Sequence, residues 1–167
     1  MLWRWCLCLL LCVCVSASFA ATYSVTSNAD DGSAGTLRYA INQLNSSGTA
    51  GSAAANNVIN FNSGLSPITL TANLPIIQNG VTINGPTGSQ TISGTNSYLL
   101  FATYQASISL SNLTLSQGLA QGGSGFGGGG GGMGAGGGIY VDYAQTLNLS
   151  SVTIQNCLAQ GGNGVNQ

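Results

Sequence analysis

The sequence predicts an all-β solenoid, built from short strands that stack coil on coil, with one helix near its N-terminus. Two observations predict this fold. Residues 107–125 and 146–164 align without a gap at an offset of 39 positions, with nine of 19 residues identical. Each copy also holds two apolar-polar-apolar triplets, and alternation with period two is typical of strands with one buried face. A meander of β-hairpins would show the same triplets, so the fixed repeat is what favours stacked coils.

Two polar residues separate the triplets within each copy, and we interpret them as a corner between two short strands. The apolar residues of the triplets should then point into one core and stack in columns on consecutive coils. This predicted core row consists of Leu110, Leu113, Leu115, Leu147, Leu149, Val152 and Ile154.

One helix is predicted ahead of these strands. Leu37, Ala40, Ile41 and Leu44 follow the spacing i, i+3, i+4, i+7, which places them on one face of a helix of about ten residues. Thr36 suits the N-cap and Gly48 the end of the helix. A short amphipathic helix laid across the first coil would protect the open end of a solenoid from unwanted strand addition.

The N-terminus has the features of a secretory signal peptide, which we assign to residues 1–20. Arg4 precedes an apolar run over residues 5–15, and small residues at 18 and 20 suit a signal peptidase. The run is shorter than the roughly 20 residues of a transmembrane helix. Four of the five cysteines lie within it, so the predicted mature chain, residues 21–167, keeps only Cys157 and has no internal disulfide. We expect an extracellular, outer-membrane or cell-surface protein, with no membrane span in the mature chain.

Charged residues are nearly absent. The complete set is Arg4, Arg38, Asp30, Asp31 and Asp142, with no His, Lys or Glu. Without a basic patch the chain cannot bind nucleic acid through phosphate contacts, nor anionic membrane surfaces. A glycosidase or lyase would need paired carboxylates or a metal cluster with a proton acceptor, whereas Asp142 lies 111 positions after Asp31. We therefore assign no catalytic, cofactor-binding or metal-binding residue.

Each charged residue has a structural interpretation. Asp30 and Asp31 are expected in a solvated turn, and Asp142 in a turn after a strand. Arg38 is expected to pair with the 30–31 turn; binding of a substrate is its alternative role.

Residues 118–138 contain 14 glycines, and we interpret them as a flexible insert between coils. A G-x-G-x-x-G match within it carries no information, because polyglycine matches by default and no Lys-Ser/Thr follows. Residues 122–126 and 161–165 begin like the calcium nonapeptide repeat, but Gly127 and Asn166 stand where aspartate is needed.

Cys157 is expected as a small, partly buried free thiol, because no histidine could activate it.

The segment 34–41, AGTLRYAI, resembles the start of many secreted bacterial right-handed parallel β-helix proteins. The motifs that often follow in those proteins are present in order at 59–61, 68–70, 74–77 and 82–86, and GGGIYV at 136–141 resembles a G-G-A-I segment of autotransporter-type β-helices. The resemblance implies a right-handed parallel β-helix of the pectin-lyase-like kind, within a group that includes autotransporter passengers and polymorphic outer-membrane proteins.

Three functions are compatible with these residues. The favoured one is a non-catalytic secreted or cell-surface module, such as the N-terminal piece of an autotransporter passenger or adhesin, with a host-surface or polysaccharide ligand. The alternative is a fragment of a polysaccharide lyase or glycosidase on the same fold. The third is an ice-binding solenoid, because Thr82, Thr114 and Thr153 recur at the middle of triplets. Because nothing caps the last repeat before Gln167, we expect further coils, a β-barrel or a catalytic region beyond it.

Overall fold

The computed structural model describes residues 20–47 and 57–164, which form eleven strands and one helix. In chain order these are β1 (Thr22–Val25), α1 (Leu37–Ser46), β2 (Asn57–Phe61), β3 (Ile68–Thr69), β4 (Val81–Asn84), β5 (Gln90–Ser93), β6 (Phe101–Ala102), β7 (Ile108–Ser116), β8 (Leu119–Gln121), β9 (Ile139–Tyr140), β10 (Leu147–Gln155) and β11 (Leu158–Gln160). The chain is therefore mostly strand with a single helix in the part described. The predicted signal peptide falls outside these residues except for Ala20, and Gly48 and residues 165–167 also lie outside them.

All strand pairings among the described residues are parallel. The largest sheet has seven strands: its main path runs β1-β2-β4-β7-β5-β3, and β10 pairs with β7. Two further sheets join β8 to β11 and β6 to β9. Parallel pairing excludes the meander of hairpins, because a hairpin joins its two strands antiparallel.

The predicted corner between triplets is confirmed in β7 and β10. The first half of β7 pairs with β4 and its second half with β5, so the strand changes direction midway. Asn112 and Ser151 stand at this point with φ of 50° and 55°. A left-handed conformation is costly for most residues and is best tolerated by Gly and Asn, and it reverses the local twist sharply enough to turn a strand. The same conformation recurs 39 positions apart at Gln117 and Asn156.

The alignment of the two repeats is also the register of the two strands. Leu147 pairs with Ile108, Leu149 with Leu110, and Ile154 with Leu115. The 39-residue offset read from the sequence therefore places each side chain of β10 directly beside its counterpart in β7.

The core row is buried in β7 but not in β10. Leu110, Leu113 and Leu115 are at most 1% exposed, whereas Leu149 and Ile154 are 45% and 46% exposed. The row therefore stacks in columns as expected, whereas the expectation that Leu149 and Ile154 point into the core is wrong. The apolar row of β10 packs only partly against the core cluster, through Leu147 and Val152.

The helix begins as predicted. The Thr36 side chain accepts a hydrogen bond from the Tyr39 amide and so satisfies one of the unpaired N–H groups of the first turn. Leu37, Ala40, Ile41 and Leu44 are all buried in the same hydrophobic cluster as Val25 of β1. The helix ends at Ser46, with Ser47 as its C-cap.

Asn45 joins the helix to an exposed backbone edge. Its side-chain amide donates to the Ile76 carbonyl at 2.7 Å, and its side-chain oxygen accepts from the Gln78 amide at 3.0 Å. This pair of bonds occupies the two backbone groups that a neighbouring strand would otherwise use.

The glycine-rich segment, which we interpreted as a flexible insert, makes close backbone contacts with its neighbours. Its first residues form strand β8, and the chain then returns alongside that strand. Gly132 donates to the Gly123 carbonyl at 2.7 Å and accepts from the Gly162 amide at 2.8 Å. A side chain added to Gly122 would meet the Gly132 carbonyl oxygen, and one added to Gly137 would meet Leu158 backbone. Close backbone packing, which only glycine permits, gives this segment its packing partners.

Candidate functional site

The outer face of the largest sheet carries a ladder of neutral polar side chains. Asn84 stands at its centre: its amide donates to the Asn60 side-chain oxygen at 3.0 Å, and its own oxygen accepts from the Ser111 hydroxyl at 2.7 Å. These residues occupy matched positions on β2, β4 and β7. The alternation of strand side chains places them opposite the buried Ile59, Ile83 and Leu110. The sheet thus holds a row of amides and hydroxyls in fixed orientation.

A parallel row extends the ladder to the last repeat. Thr82, Ser109 and Asn148 are register partners, and the Asn148 amide donates to the Ser109 hydroxyl at 3.2 Å. Together the two rows form what we call the polar face, which consists of Asn60, Thr82, Asn84, Ser109, Ser111, Asn148 and Ser150. The polar face carries no ionised group, so it can recognise a ligand only by neutral hydrogen bonds.

The threonines singled out in the sequence do not form one column. Thr114 is flanked by Thr91 and Thr153 on β5 and β10, whereas Thr82 lies on β4 and pairs with Ser109. Thr91 was missed because its strand, 90–93, lies outside the 39-residue repeat. A single three-residue column does not provide the paired threonine columns that an ice-binding face would need.

Asp30 and Arg38 form a buried ion pair, as the structural interpretation of Arg38 predicted. Arg38 Nη2 lies 2.7 Å from Asp30 Oδ2, and its Nε donates to Asp30 Oδ1 at 3.0 Å. Two further guanidinium donors reach the Asn73 and Ala72 carbonyls at 2.7 and 2.8 Å. These contacts use four of the five N–H donors of the guanidinium, which supports a structural role for Arg38 rather than the binding of a substrate.

The expectation that Asp30 is solvated is wrong. Its side chain is 1% exposed, and Oδ2 also accepts from the Thr71 amide at 2.7 Å and the Thr71 hydroxyl at 3.0 Å. The carboxylate charge is stable there because Arg38 and the two donors of Thr71 replace the hydrogen bonds that it would otherwise form with water.

Asp31 faces solvent, in agreement with its predicted place in a turn. Its Oδ1 accepts from the Ser33 hydroxyl at 2.7 Å and from the Ser33 amide at 2.9 Å. These bonds stabilise the ionised form, so the pKa of Asp31 lies below its ordinary value, chiefly through the Ser33 hydroxyl.

Asp142 follows β9 and begins a turn, as expected. Its Oδ1 accepts from the Tyr143 amide at 2.8 Å, and its Oδ2 from the Gln105 amide at 3.4 Å. Unlike Asp30, it has no cation beside it within the described residues.

Comparisons with known proteins give no relative. No family model, no curated protein and no solved structure matches the chain. Function therefore has to be inferred from the surface residues themselves.

Cys157 is a half-buried free thiol, as predicted. It occupies the position of Gly118 in the next repeat, and its sulfur accepts from the Gly118 amide at 3.3 Å. Within the described ranges no cluster of His, Cys, Asp or Glu could hold a metal ion, and no helix has the length and hydropathy to cross a membrane.

An open cleft of about 330 Å³ lies between residues 97–99, strand β8 and residues 133–135. Its lining includes Asn73, Ser97 and Gln121 beside Leu99 and Met133, and none of the residues around it is charged. The cleft therefore shares the neutral polar chemistry of the polar face.

Proposed function

We propose that this chain is a non-catalytic module of a secreted or cell-surface protein, built as a right-handed parallel β-helix, and that it binds a polysaccharide. The polar face carries the proposal. It presents hydroxyls and amides in fixed register across four strands. Such groups can form hydrogen bonds with the hydroxyls of a sugar chain, and no ionised group has to lose its water for the sugar to bind.

The parallel registers support the β-helix. Hydrogen-bonded side chains on neighbouring strands are 24, 27 and 39 residues apart in the chain, so each strand is reached only after a long excursion. Excursions of this length between parallel strands fit complete coils, and right-handed crossovers are strongly favoured. In this arrangement α1 and Asn45 cover the first coil, which supports the proposed role of the helix as a cap. A crystal structure with left-handed connections would contradict the handedness.

The non-catalytic role is supported by how the charged groups are used. Asp30 and Arg38 bind each other in the interior, and Asp31 accepts from its own turn. The sequence supplies no His, Lys or Glu for acid–base catalysis. The resemblance to autotransporter passengers and adhesins, together with the signal-like residues 1–20, supports a place outside the cell.

The test combines binding with product analysis on the mature chain, residues 21–167. We expect the protein to be retarded in gels containing a neutral polysaccharide and to release no reducing ends or unsaturated sugars from it. Release of either product would favour the lyase or glycosidase alternative. Failure to bind any of a panel of neutral plant, microbial and host glycans would contradict the proposal.

The polar face has its own test within this experiment. Asn84→Ala removes the central amide of the ladder, and we expect it to weaken retardation. Gln43→Ala, a polar substitution on the exposed side of α1, is the matched control and should leave retardation unchanged.

A further inference from the structure

We infer that the outer face of the β6–β9 sheet is a saccharide-stacking platform, in which Tyr104 and Tyr140 supply the rings and Asp142 accepts hydrogen bonds from sugar hydroxyls. This site rests on the proposed polysaccharide binding but lies on a different sheet from the polar face. Nothing in the proposed function assigns it.

The register brings these residues together. Ala102 pairs with Tyr140, and Thr103 bridges in parallel to Ile77. The Thr103 amide also donates to the Tyr140 carbonyl at 3.0 Å, and the Thr103 hydroxyl accepts from the Asp142 amide at 3.2 Å. Tyr104 and Asp142 therefore lie at neighbouring positions on adjacent passes of the chain, with Tyr140 two residues before Asp142 on the same pass.

Alternation along the sheet decides which side chains point outward. Ile77 and Thr103 are buried, at 0% and 2% exposure, so the residues before and after them face away from the core. Tyr104 is 52% exposed and Tyr140 39%. Ala102, the register partner of Tyr140, is only 8% exposed, so the aromatic surface open to a ligand here belongs to Tyr104 and Tyr140.

The rings are available to a ligand. Among the tyrosines of the described residues only Tyr23 forms a hydrogen bond through its hydroxyl, so no described residue binds the hydroxyls of Tyr104 and Tyr140. Exposed aromatic surface has an unfavourable contact with water, and a partner that covers one ring face relieves it.

The carboxylate beside the rings is held in place. Asp142 accepts from the Tyr143 and Gln105 amides, one on each oxygen, and its backbone is tied to the buried Thr103. An ionised carboxylate has about four acceptor sites, so two remain free. They lie in an orientation set before the ligand arrives, which reduces the entropy lost on binding.

The two tyrosine rings and the Asp142 carboxylate together determine which class of ligand fits. A pyranose ring has an apolar C–H face and a rim of hydroxyl donors, and these match an aromatic ring beside a fixed acceptor. An anionic ligand would meet the charge of Asp142, while Arg38 is already bound to Asp30. A purely apolar ligand would desolvate the carboxylate without replacing its hydrogen bonds. The platform therefore fits an uncharged saccharide.

The test is titration of the mature chain with a neutral oligosaccharide that the parent polysaccharide assay identifies, followed by tyrosine fluorescence. Both tryptophans precede residue 21, so tyrosine dominates the emission of the mature chain. We expect Tyr104→Ala and Tyr140→Ala each to weaken binding about tenfold, the loss typical of one aromatic contact. Tyr104→Phe should retain most of the affinity, and Asp142→Asn should lose part of it.

Tyr39→Ala is the control, because Tyr39 is a comparably exposed tyrosine on α1. Circular dichroism of each variant should match the unchanged protein. If the mature chain binds the saccharide and the platform variants bind equally well, the platform assignment is wrong while the proposed function stands. If the mature chain binds no saccharide, the proposed function itself fails. Tyr104-dependent binding of polylysine in place of the saccharide would overturn the ligand class.

Discussion

At the scale of single residues, the most consequential side chain is that of Asp30. Four donors from Arg38 and Thr71 surround its carboxylate, and Thr71 lies 41 positions away in the chain. The pair therefore fastens the turn before α1 to the segment after β3. Local sequence could predict the Asp30–Arg38 contact but not the burial, because the groups that make burial tolerable come from a distant segment.

Asp30→Asn tests this role. We expect it to lower the free energy of unfolding by up to about 3–5 kcal/mol, since it leaves a largely buried guanidinium, 16% exposed, without its counter-ion. Asp31→Asn is the matched control: the neighbouring carboxylate faces solvent, so its loss should change stability far less than Asp30→Asn. Denaturant titrations at neutral pH measure both. Equal effects of the two substitutions would contradict the buried pair.

The lowered pKa of Asp31 gives a second prediction at this scale. Ser33→Ala removes the hydroxyl that contributes most to the lowering, so the pKa of Asp31 should rise toward its ordinary value. Because the folded-state pKa is depressed, the contribution of Asp31 to stability is present above the unfolded-state pKa and is lost as the pH falls through the folded-state pKa. Carboxyl-carbon NMR titration reads the shift directly, and an unchanged midpoint in the variant would assign the lowering elsewhere.

At the scale of elements, β7 and β10 are near copies with different surroundings. They share a register and a corner, yet the apolar row of β7 is covered on both sides and that of β10 on one. The repeat in the sequence predicted the pairing correctly, because identical side chains favour stacking in register. It could not predict the difference in burial, which depends on whether another strand lies beyond β10.

Leu110→Ala and Leu149→Ala make a matched pair at equivalent positions. We expect Leu110→Ala to cost about 2–5 kcal/mol, since it opens a cavity in a core where the side chain is 1% exposed. Leu149→Ala should cost clearly less, because 45% of that side chain already faces solvent. Thermal and chemical unfolding of both variants gives the comparison. A larger loss for Leu149→Ala would mean that its side chain is covered in solution.

The packing of the glycine-rich segment is the feature that the sequence predicted least. It uses backbone carbonyls and amides, so no alternation of apolar side chains indicates it. The corners themselves were predicted from the two polar residues between the triplets. Their left-handed conformation was not, because Asn112 and Ser151 are ordinary polar residues and carry no glycine signal.

Two adjacent glycines test the packed arrangement. Gly122→Ala would place a methyl group against the Gly132 carbonyl, and we expect a loss of about 1–3 kcal/mol or more from the forced backbone shift. A methyl group at Gly123 would have nothing within 4 Å, so Gly123→Ala should be neutral or slightly stabilising. If the two substitutions have the same effect on the thermal midpoint, the segment does not pack in this way.

At the scale of the whole molecule, the near absence of charge shapes both recognition and stability. The predicted mature chain carries Arg38 against three aspartates, for a net charge of −2, and the Arg38–Asp30 pair neutralises one of those aspartates. Composition alone led to the prediction that nucleic acid and anionic surfaces are not partners. It could not locate the polar face or the tyrosine platform, because both depend on which strands lie side by side.

The edge of β10 that faces away from β7 should affect how the molecules associate in solution. In the described part of the chain β10 pairs with β7 only, and nine consecutive residues without a single charge present their other backbone edge beside Leu149 and Ile154. Soluble proteins usually keep such edges apart with lysines or net charge; this sequence has no lysine, and the predicted mature chain has a net charge of only −2. The purified chain of residues 21–167 should therefore self-associate as its concentration rises. The rate should be almost unaffected by a roughly tenfold change in ionic strength, since there is little repulsion for salt to screen. Light scattering would measure this, and replacing Leu149 with lysine should keep the molecules dispersed.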